Sequence, residues 1–463
     1  MRIKLEKQYG HIHFIGIGGI HMSALAEMLR ASGYSVSGTD QSESDATRRL
    51  SELGIDVRIG HKPENILPGT GLVVYTSAVK PENPEFSRAR ESMISMLGRA
   101  ELLGMIMKNF PCPICVAGTH GKTTTTSMLG EIFVHVGLDP TILTGGILKS
   151  INSALKMGDG SHFIVESCEY RDNFLNFHPR IGIILNIEAD HLDYFKDISA
   201  IRASFSKFAA NTAEDGALII NNCIENWHEI TQGLSSKIIT FGNESADYHA
   251  ADIAFDRYGL ASFRLMENGR FAARVKLSVP GGHNVSDALA ALASARICGV
   301  DLEIAASALS EYKGTARRFQ YKGEASGIRV YDDYAHHPTE IRAAVAASFN
   351  IDAKKQWHIF QPHTRSRTKA LLDEFADSLA DAENIIVLDI YDPVGRDESH
   401  IATHSLDLIR ELKSRGKTPY YFSGFEECAD FLASACRPGD AVVTMGAGDV
   451  NRVGEMLLDR RNI

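Results

Sequence analysis

The chain has 463 residues, of which 44% are hydrophobic and 23% charged, with a formal net charge of -10. That length exceeds one ordinary core and points to roughly two to four domains. The composition is that of a soluble globular protein, and the acidic balance argues against a nucleic-acid binder, which usually shows a basic face.

In chain order, the opening MRIKLEKQYG lacks the apolar core of a signal peptide, and no later run reaches the ~18 apolar residues of a membrane span. A cytoplasmic protein with no membrane and no nucleic-acid partner is expected. HIHFIGIGGIHMSALAEMLRASGYSVSGTD reads as strand, glycine turn, helix and second strand, the start of a βαβ unit. Gly16 and Gly18 fit the dinucleotide fingerprint G-x-G-x-x-G, but His21 stands at its last position. Asp40 closes the second strand, where it reads either as a ribose ligand or as a loop carboxylate. GLVVYTSAV is a strand and RAELLGMIMKNF a helix, and a first domain boundary is placed near Phe110.

CPIC at 112–115 has C-x-x-C spacing, but no second pair completes a zinc site, so Cys112 and Cys115 read as strand residues. Seven cysteines spread over the chain make no disulfide framework. VAGTHGKTTTT at 116–126 then joins a strand to a helix through a glycine turn. Unpaired N–H groups and the helix dipole favour an anion there, a lysine beside them grips outer phosphates, and a threonine hydroxyl reaches Mg²⁺. The general pattern G-x-x-x-x-G-K-[ST] would need a glycine where Val116 stands, so the loop is a shorter variant beginning at Gly118.

HFIVESCEY and IGIILNI are strands with polar ends. They offer Glu166 and Glu169, then Asn186, Asp190, His191 and Asp193 in NIEADHLDYF, on the edge that carries the phosphate loop. Mg²⁺ takes oxygen ligands, so Glu166 beside Thr123 and a phosphate suits it, with His191 added to the phosphate and metal group. FRLMENGRFAARVKLSV alternates about Asn268-Gly269, a hairpin signal. HNVSDALAALASARICGV reads as a helix capped near Asn284 or Ser286. From Phe319 regular α/β alternation returns, and DDYAHHP and QPHTRSR follow strands directly. Arg365 or Arg367 could hold a carboxylate or a phosphoryl group by a two-pronged contact. No G-x-S-x-G and no cysteine with an evident histidine base is present.

The ordered set GTHGKTTTT, NIEADHLD, GGHNVSDALAA, ARRF, DDYAHHPTE and QPHTRSRT resembles the Mur ligase family, the ATP-dependent amide ligases of bacterial cell-wall precursor synthesis. The resemblance spans nearly the whole chain, and the family's G-T-x-G-K-T loop accounts for the variant at Gly118. Within the family, HFIGIGGIHMSALA and FQPHTRSRT look most like the members that add the first amino acid. The resemblance implies an α/β protein of three domains. These are a Rossmann-like UDP-sugar-binding domain over 1–110, a central P-loop ATPase domain with a mixed sheet over 111–318, and a Rossmann-like C-terminal domain over 319–463.

It also implies ATP and Mg²⁺, with UDP-N-acetylmuramate and L-alanine as substrates and a monomer or weak homodimer. ATP would phosphorylate the lactyl carboxylate, and the amine would attack the acyl phosphate. Gly118, Thr119, His120, Gly121, Lys122, Thr123 and Thr124 would cradle the phosphates, with Thr123, Glu166 and His191 toward metal. His283 and Asn284 would lie against adenine, and Arg318 and Asp333 near the phosphates and ribose. His336, His363 and Arg367 would face the amino acid, while Gly16, Gly18, Gly19 and Ser77 would meet the UDP sugar. Lys122, Glu166, His191, His336 and Arg367 are the implied catalytic set.

Three positions depart from the family pattern. Cys168 stands where many first-amino-acid members have aspartate, Thr364 where arginine is frequent, and Phe205 where several relatives carry a carbamylated lysine. No modified lysine is expected here. Three other readings compete: a relative that attaches a preformed tripeptide to the same sugar nucleotide, a nicotinamide-dependent oxidoreductase built on Gly16, Gly18 and Asp40, and a non-catalytic nucleotide-gated regulator.

Overall fold

Short β-rich runs form the first sheet, with glycine directly after its first and third strands and at the end of its fifth. Its strands are β1 (His11–Ile15), β2 (Ser35–Asp40), β3 (Asp56–Ile59), β4 (Thr70–Tyr75) and β5 (Ser95–Gly98). All pair parallel in the order β3-β2-β1-β4-β5, so the strand order reverses beside β1 and a crevice opens at its carboxyl end. The helix Ile20–Ala31 carries apolar residues at helical spacing and buries Met22, Leu25, Met28 and Leu29. The computed structural model describes residues 3–5, 7, 9–76, 78–191, 194–256, 258–392, 398 and 400–461. Ser77 and Asp193 lie outside them.

A second sheet is built from β6 (Cys112–Ala117), β7 (Thr141–Leu148), β8 (Ser153–Lys156), β9 (His162–Ser167), β10 (Ile181–Ile184), β11 (Ala217–Asn221) and β12 (Lys237–Gly242). They run in the order β12-β11-β10-β6-β9-β7-β8, parallel except for β8. Ile114, Ile164 and Ile183 of the three central strands are fully buried, as expected of strands covered on both faces. Beyond β12 follow β13 (Tyr248–Phe255), β14 (Leu260–Glu267) and β15 (Arg270–Pro280). Asn268 and Gly269, at φ of +51° and +73°, make the tight turn the Asn-Gly pair specifies. The next helix spans His283–Ile297, opening just before the expected caps, and the Asn284 side chain donates to the Pro280 carbonyl at 2.7 Å.

The third sheet contains β16 (Gln320–Ala325), β17 (Ile328–Asp333), β18 (Gln356–Phe360), β19 (Asn384–Leu388), β20 (Tyr420–Phe422) and β21 (Ala441–Met445), in the order β16-β17-β21-β18-β19-β20. It is parallel except at β16, which turns straight back into β17 through Ser326-Gly327. A connection this short permits only an antiparallel pair. Two compact units result, one of residues 1–250, 265–273 and 287–308, the other of 251–264, 274–286 and 309–463. No helix among the described residues is long and apolar enough to cross a membrane.

Candidate active site

In the first unit one group of candidate residues gathers at the carboxyl ends of β6, β9 and β10. Gly118 to Gly121 form a turn, and Lys122 opens the helix Lys122–His135. Gly121 sits at φ +81°, and a Cβ there would collide with the Asp287 carboxylate, so glycine is required on both counts. Asn186, beyond β10, clamps the turn. Its Oδ1 accepts the His120 N–H at 2.8 Å and its Nδ2 donates to the His120 carbonyl at 3.1 Å. The Glu188 N–H donates to Thr119 Oγ1 at 2.9 Å, and His120 Nε2 lies 3.5 Å from Glu188 Oε2.

Lys122 Nζ donates to the Gly118 carbonyl, to the Thr119 carbonyl at 3.0 Å and to Glu169 Oε2 at 3.0 Å. Burial opposes its charge, but Glu169, together with Cys168 and Glu166, outweighs burial and raises its pKa above the ordinary lysine value. Thr123 Oγ1 donates to Glu166 Oε2 at 3.0 Å, and Glu166 Oε1 accepts the Gly145 N–H. Thr124 is buried in the same first helical turn. His191 takes a left-handed φ of +54°, and its ring packs 4.6 Å from that of Tyr170, the neighbour of Glu169.

These donors fit Mg²⁺. Thr123 and Glu166 supply hard oxygens side by side, and Glu169 Oε1 is buried with no hydrogen-bond partner among the described residues. An orphaned carboxylate oxygen in that place is costly unless a cation or a water meets it.

A second group lies in the other unit. Asp333, the last residue of β17, accepts the N–H groups of Phe319 and Ala335, each at 2.7 Å. Burial pushes its pKa up to about 7, opposed by the Arg318 guanidinium. Glu340 lies 3.7 Å from Arg318 and 3.2 Å from His336 Nδ1, and it accepts the His336 and His337 N–H groups. The His336 and His363 rings are 5.8 Å apart, and His363 stacks on Tyr391 at 5.6 Å. Burial lowers the His336 pKa, with Glu340 opposing it. Arg365 is committed to Asp392 at 3.1 Å and to the Thr403 carbonyl at 3.0 Å. Arg367 has no side-chain hydrogen bond or ion pair among the described residues, which leaves it as the available guanidinium. His283 is exposed at its helix start in the same unit.

The glycine turn after β1 forms a third group. Gly18 donates its N–H to Asp40 Oδ2 at 2.8 Å, and a Cβ on Gly18 would lie 2.8 Å from that oxygen. Asp40 Oδ1 accepts the Gln41 N–H at 2.8 Å, so both of its carboxylate oxygens tie this turn together. Gly16 and Gly19 flank the same turn, Gly16 at φ +81°. His21, in place of the packing glycine, pairs with Arg99 at 2.6 Å, and burial lowers its pKa to about 3.

Sequence reasoning missed the pairing of Lys122 with Glu169 and the bridging role of Glu340. The second carried a signal, since Glu340 stands three residues after His337 in a helix-opening capping pattern. The first carried none, because the two residues are brought together only by the sheet.

The chain matches the model of the Mur ligase family catalytic domain over residues 11–111. It matches the Mur ligase middle domain over 116–295 and the Mur ligase glutamate ligase domain over 317–448. It is 50% identical over 451 residues to UDP-N-acetylmuramate–L-alanine ligase of Agathobacter rectalis, covering 97% of this chain and 98% of the relative. A solved UDP-N-acetylmuramate–alanine ligase from Thermotoga maritima is similar with a TM-score of 0.81 at 30% identity, over 97% of this chain and 98% of that one. A murein peptide ligase from Psychrobacter arcticus is similar with a TM-score of 0.71 at 26% identity, over 98% of each chain.

Proposed function

Because the chain belongs to the Mur ligase family, we propose that it joins L-alanine to the lactyl carboxylate of UDP-N-acetylmuramate, converting ATP to ADP and phosphate. The observation that carries phosphoryl transfer is the clamped Gly118–Gly121 turn, with Lys122 at its end and Thr123 on Glu166. The choice of substrates is supported by the near full-length likeness to the A. rectalis ligase.

A carboxylate resists amines until one oxygen becomes a good leaving group. Transfer of the γ-phosphoryl group to the lactyl carboxylate gives an acyl phosphate and ADP. The alanine nitrogen then attacks the carbonyl carbon, a tetrahedral intermediate forms, and the C–O bond to phosphate breaks as the nitrogen loses its proton. Positioning and stabilisation of spreading negative charge are what the protein has to supply. N–H groups of residues 121–124, at the start of the helix, and the Lys122 ammonium face the phosphates once Lys122 exchanges Glu169 for them. Thr123 and Glu166 hold Mg²⁺, with His191 at a second metal or at the acyl phosphate. When bound, the metal neutralises phosphate charge.

In this reading His283 and Asn284 take adenine, and Arg318 and Asp333 take phosphate and ribose. His336, His363 and Arg367 take the amino acid, with Arg367 pairing its carboxylate. Gly16, Gly18 and Gly19 let the chain approach the UDP pyrophosphate. Residues 1–110, 111–318 and 319–463 are the corresponding domains.

The test is ADP release with Mg²⁺, ATP and UDP-N-acetylmuramate, offering L-alanine, glycine, L-serine or a tripeptide as the amine. Turnover chiefly with L-alanine is expected. Preference for the tripeptide would move the chain to the peptide-ligase branch, and NAD binding without turnover would overturn the reading.

A further inference from the structure

Cys112 and His162 open neighbouring strands, β6 and β9, which pair parallel with these two residues opposite each other. Partners in a parallel register share a face, so both side chains leave the sheet on one side. Cys298 follows the helix His283–Ile297, its N–H bonded to the Ser294 carbonyl at 3.2 Å. One ligand atom from each of Cys112, His162 and Cys298 lies within 4.8 Å of the other two. Tetrahedral zinc, with bonds of about 2.3 Å to sulfur and about 2.0 Å to nitrogen, sets its donors roughly 3.5–3.8 Å apart. Small side-chain rotations close that difference.

We propose that Cys112, His162 and Cys298 form a binding site for a thiophilic divalent cation of the Zn²⁺ class, apart from the phosphate loop. β6 carries the site at its first residue and the loop after its sixth, so the strand separates them by roughly 20 Å. Two sulfurs and one imidazole exclude Mg²⁺, which takes oxygen, and suit a borderline-soft ion. The site borders a pocket of about 630 Å³, also lined by Arg180, Asp215 and Lys237, so a fourth position stays open to water or an anion. Ser161 Oγ sits 3.3 Å from His162 Nδ1 and the Phe133 ring packs edge-on at 4.9 Å, which orients the imidazole. Cys115 takes no part. Three residues on along a strand, it points to the opposite face, and burial pushes its thiol up to about 12.

The experiment uses the whole chain, reduced and stripped by a chelator, and titrated with Co²⁺. A thiolate-to-cobalt charge-transfer band saturating at one equivalent is expected, lost in both C112S and C298S and displaced by Zn²⁺. H162Q should weaken Zn²⁺ by at least about tenfold, the scale of losing even an outer-shell partner. Circular dichroism checks that the variants fold. If one does not, protection of Cys112 and Cys298 from iodoacetamide by Zn²⁺ in the unaltered protein, read by peptide mass, carries the same test. No thiolate band in the unaltered protein, or a band that survives both substitutions, overturns the proposal. So does finding that the two thiols only form a disulfide with peroxide and bind no Co²⁺ when reduced.

Discussion

Lys122 Nζ lies 3.0 Å from Glu169 Oε2, so the cation placed to face phosphate is held by a carboxylate only 2% exposed. Lys122→Ala therefore removes two things at once. It should lower ADP release by about 10²–10³-fold, the scale of losing one charge-stabilising donor. It also strands a buried carboxylate, at a cost of about 3–5 kcal/mol. Adding Glu169→Gln should restore most of the stability, read by urea unfolding, and none of the turnover. If turnover returned with stability, Lys122 would be a structural residue only.

Phe205 is fully buried, its ring 5.2 Å from Phe174, which stacks on Phe208 at 4.9 Å. The position at which several family members carry a carbamylated lysine is thus part of an aromatic core. Intact mass in bicarbonate should show no added carbon dioxide on Lys196 or Lys207. Phe205→Ala should cost about 3–5 kcal/mol, as for other large-to-small core changes. A mass gain on either lysine would contradict this.

What the chain discloses by itself follows from how local each signal is. The Asn268-Gly269 turn, the Gly118–Lys122 turn and the helix after it rest on neighbours in sequence, and they stand as read. The fold class was legible for the same reason, from strands and helices that alternate. Contacts set by strand order were not. Glu169 reaches Lys122, and Asn186 clamps His120, because β9 and β10 flank β6. Likewise C-x-x-C drew attention to Cys115, whereas the strand puts Cys112 beside His162.

Arg365 and Arg367 share one short helix, Arg365–Ala370, yet only Arg365 is committed, to Asp392 at 3.1 Å. Arg367→Ala should raise KM for L-alanine by about tenfold or more, because charge-assisted pairing of a carboxylate is worth about 1.5–3 kcal/mol. Arg365→Ala should leave that KM within about threefold, since an exposed pair contributes about 0–1 kcal/mol. The reverse order of effects would exchange their roles.

Asp333 gives a pH dependence whose sign follows from burial. Its pKa stands at about 7 in the folded protein against an ordinary 3.8, because burial disfavours the anion more than Arg318 and two N–H groups favour it. The folded state therefore holds the proton more tightly than the unfolded state. Stability from this group is complete below the ordinary value, is lost as pH rises toward about 7, and is level above that. The total is about 4 kcal/mol, at 1.36 kcal/mol per unit. Asp333→Asn should abolish this slope. It should also cost about 1 kcal/mol at low pH, where its amide cannot accept both N–H groups. Urea midpoints of the two proteins across this range check it, and parallel curves would mean that Asp333 ionises normally. Arg318→Gln, which removes the opposing charge, should extend the slope to higher pH. If Asp333 accepts the ribose hydroxyls as an anion, KM for ATP should fall as pH rises through the same window.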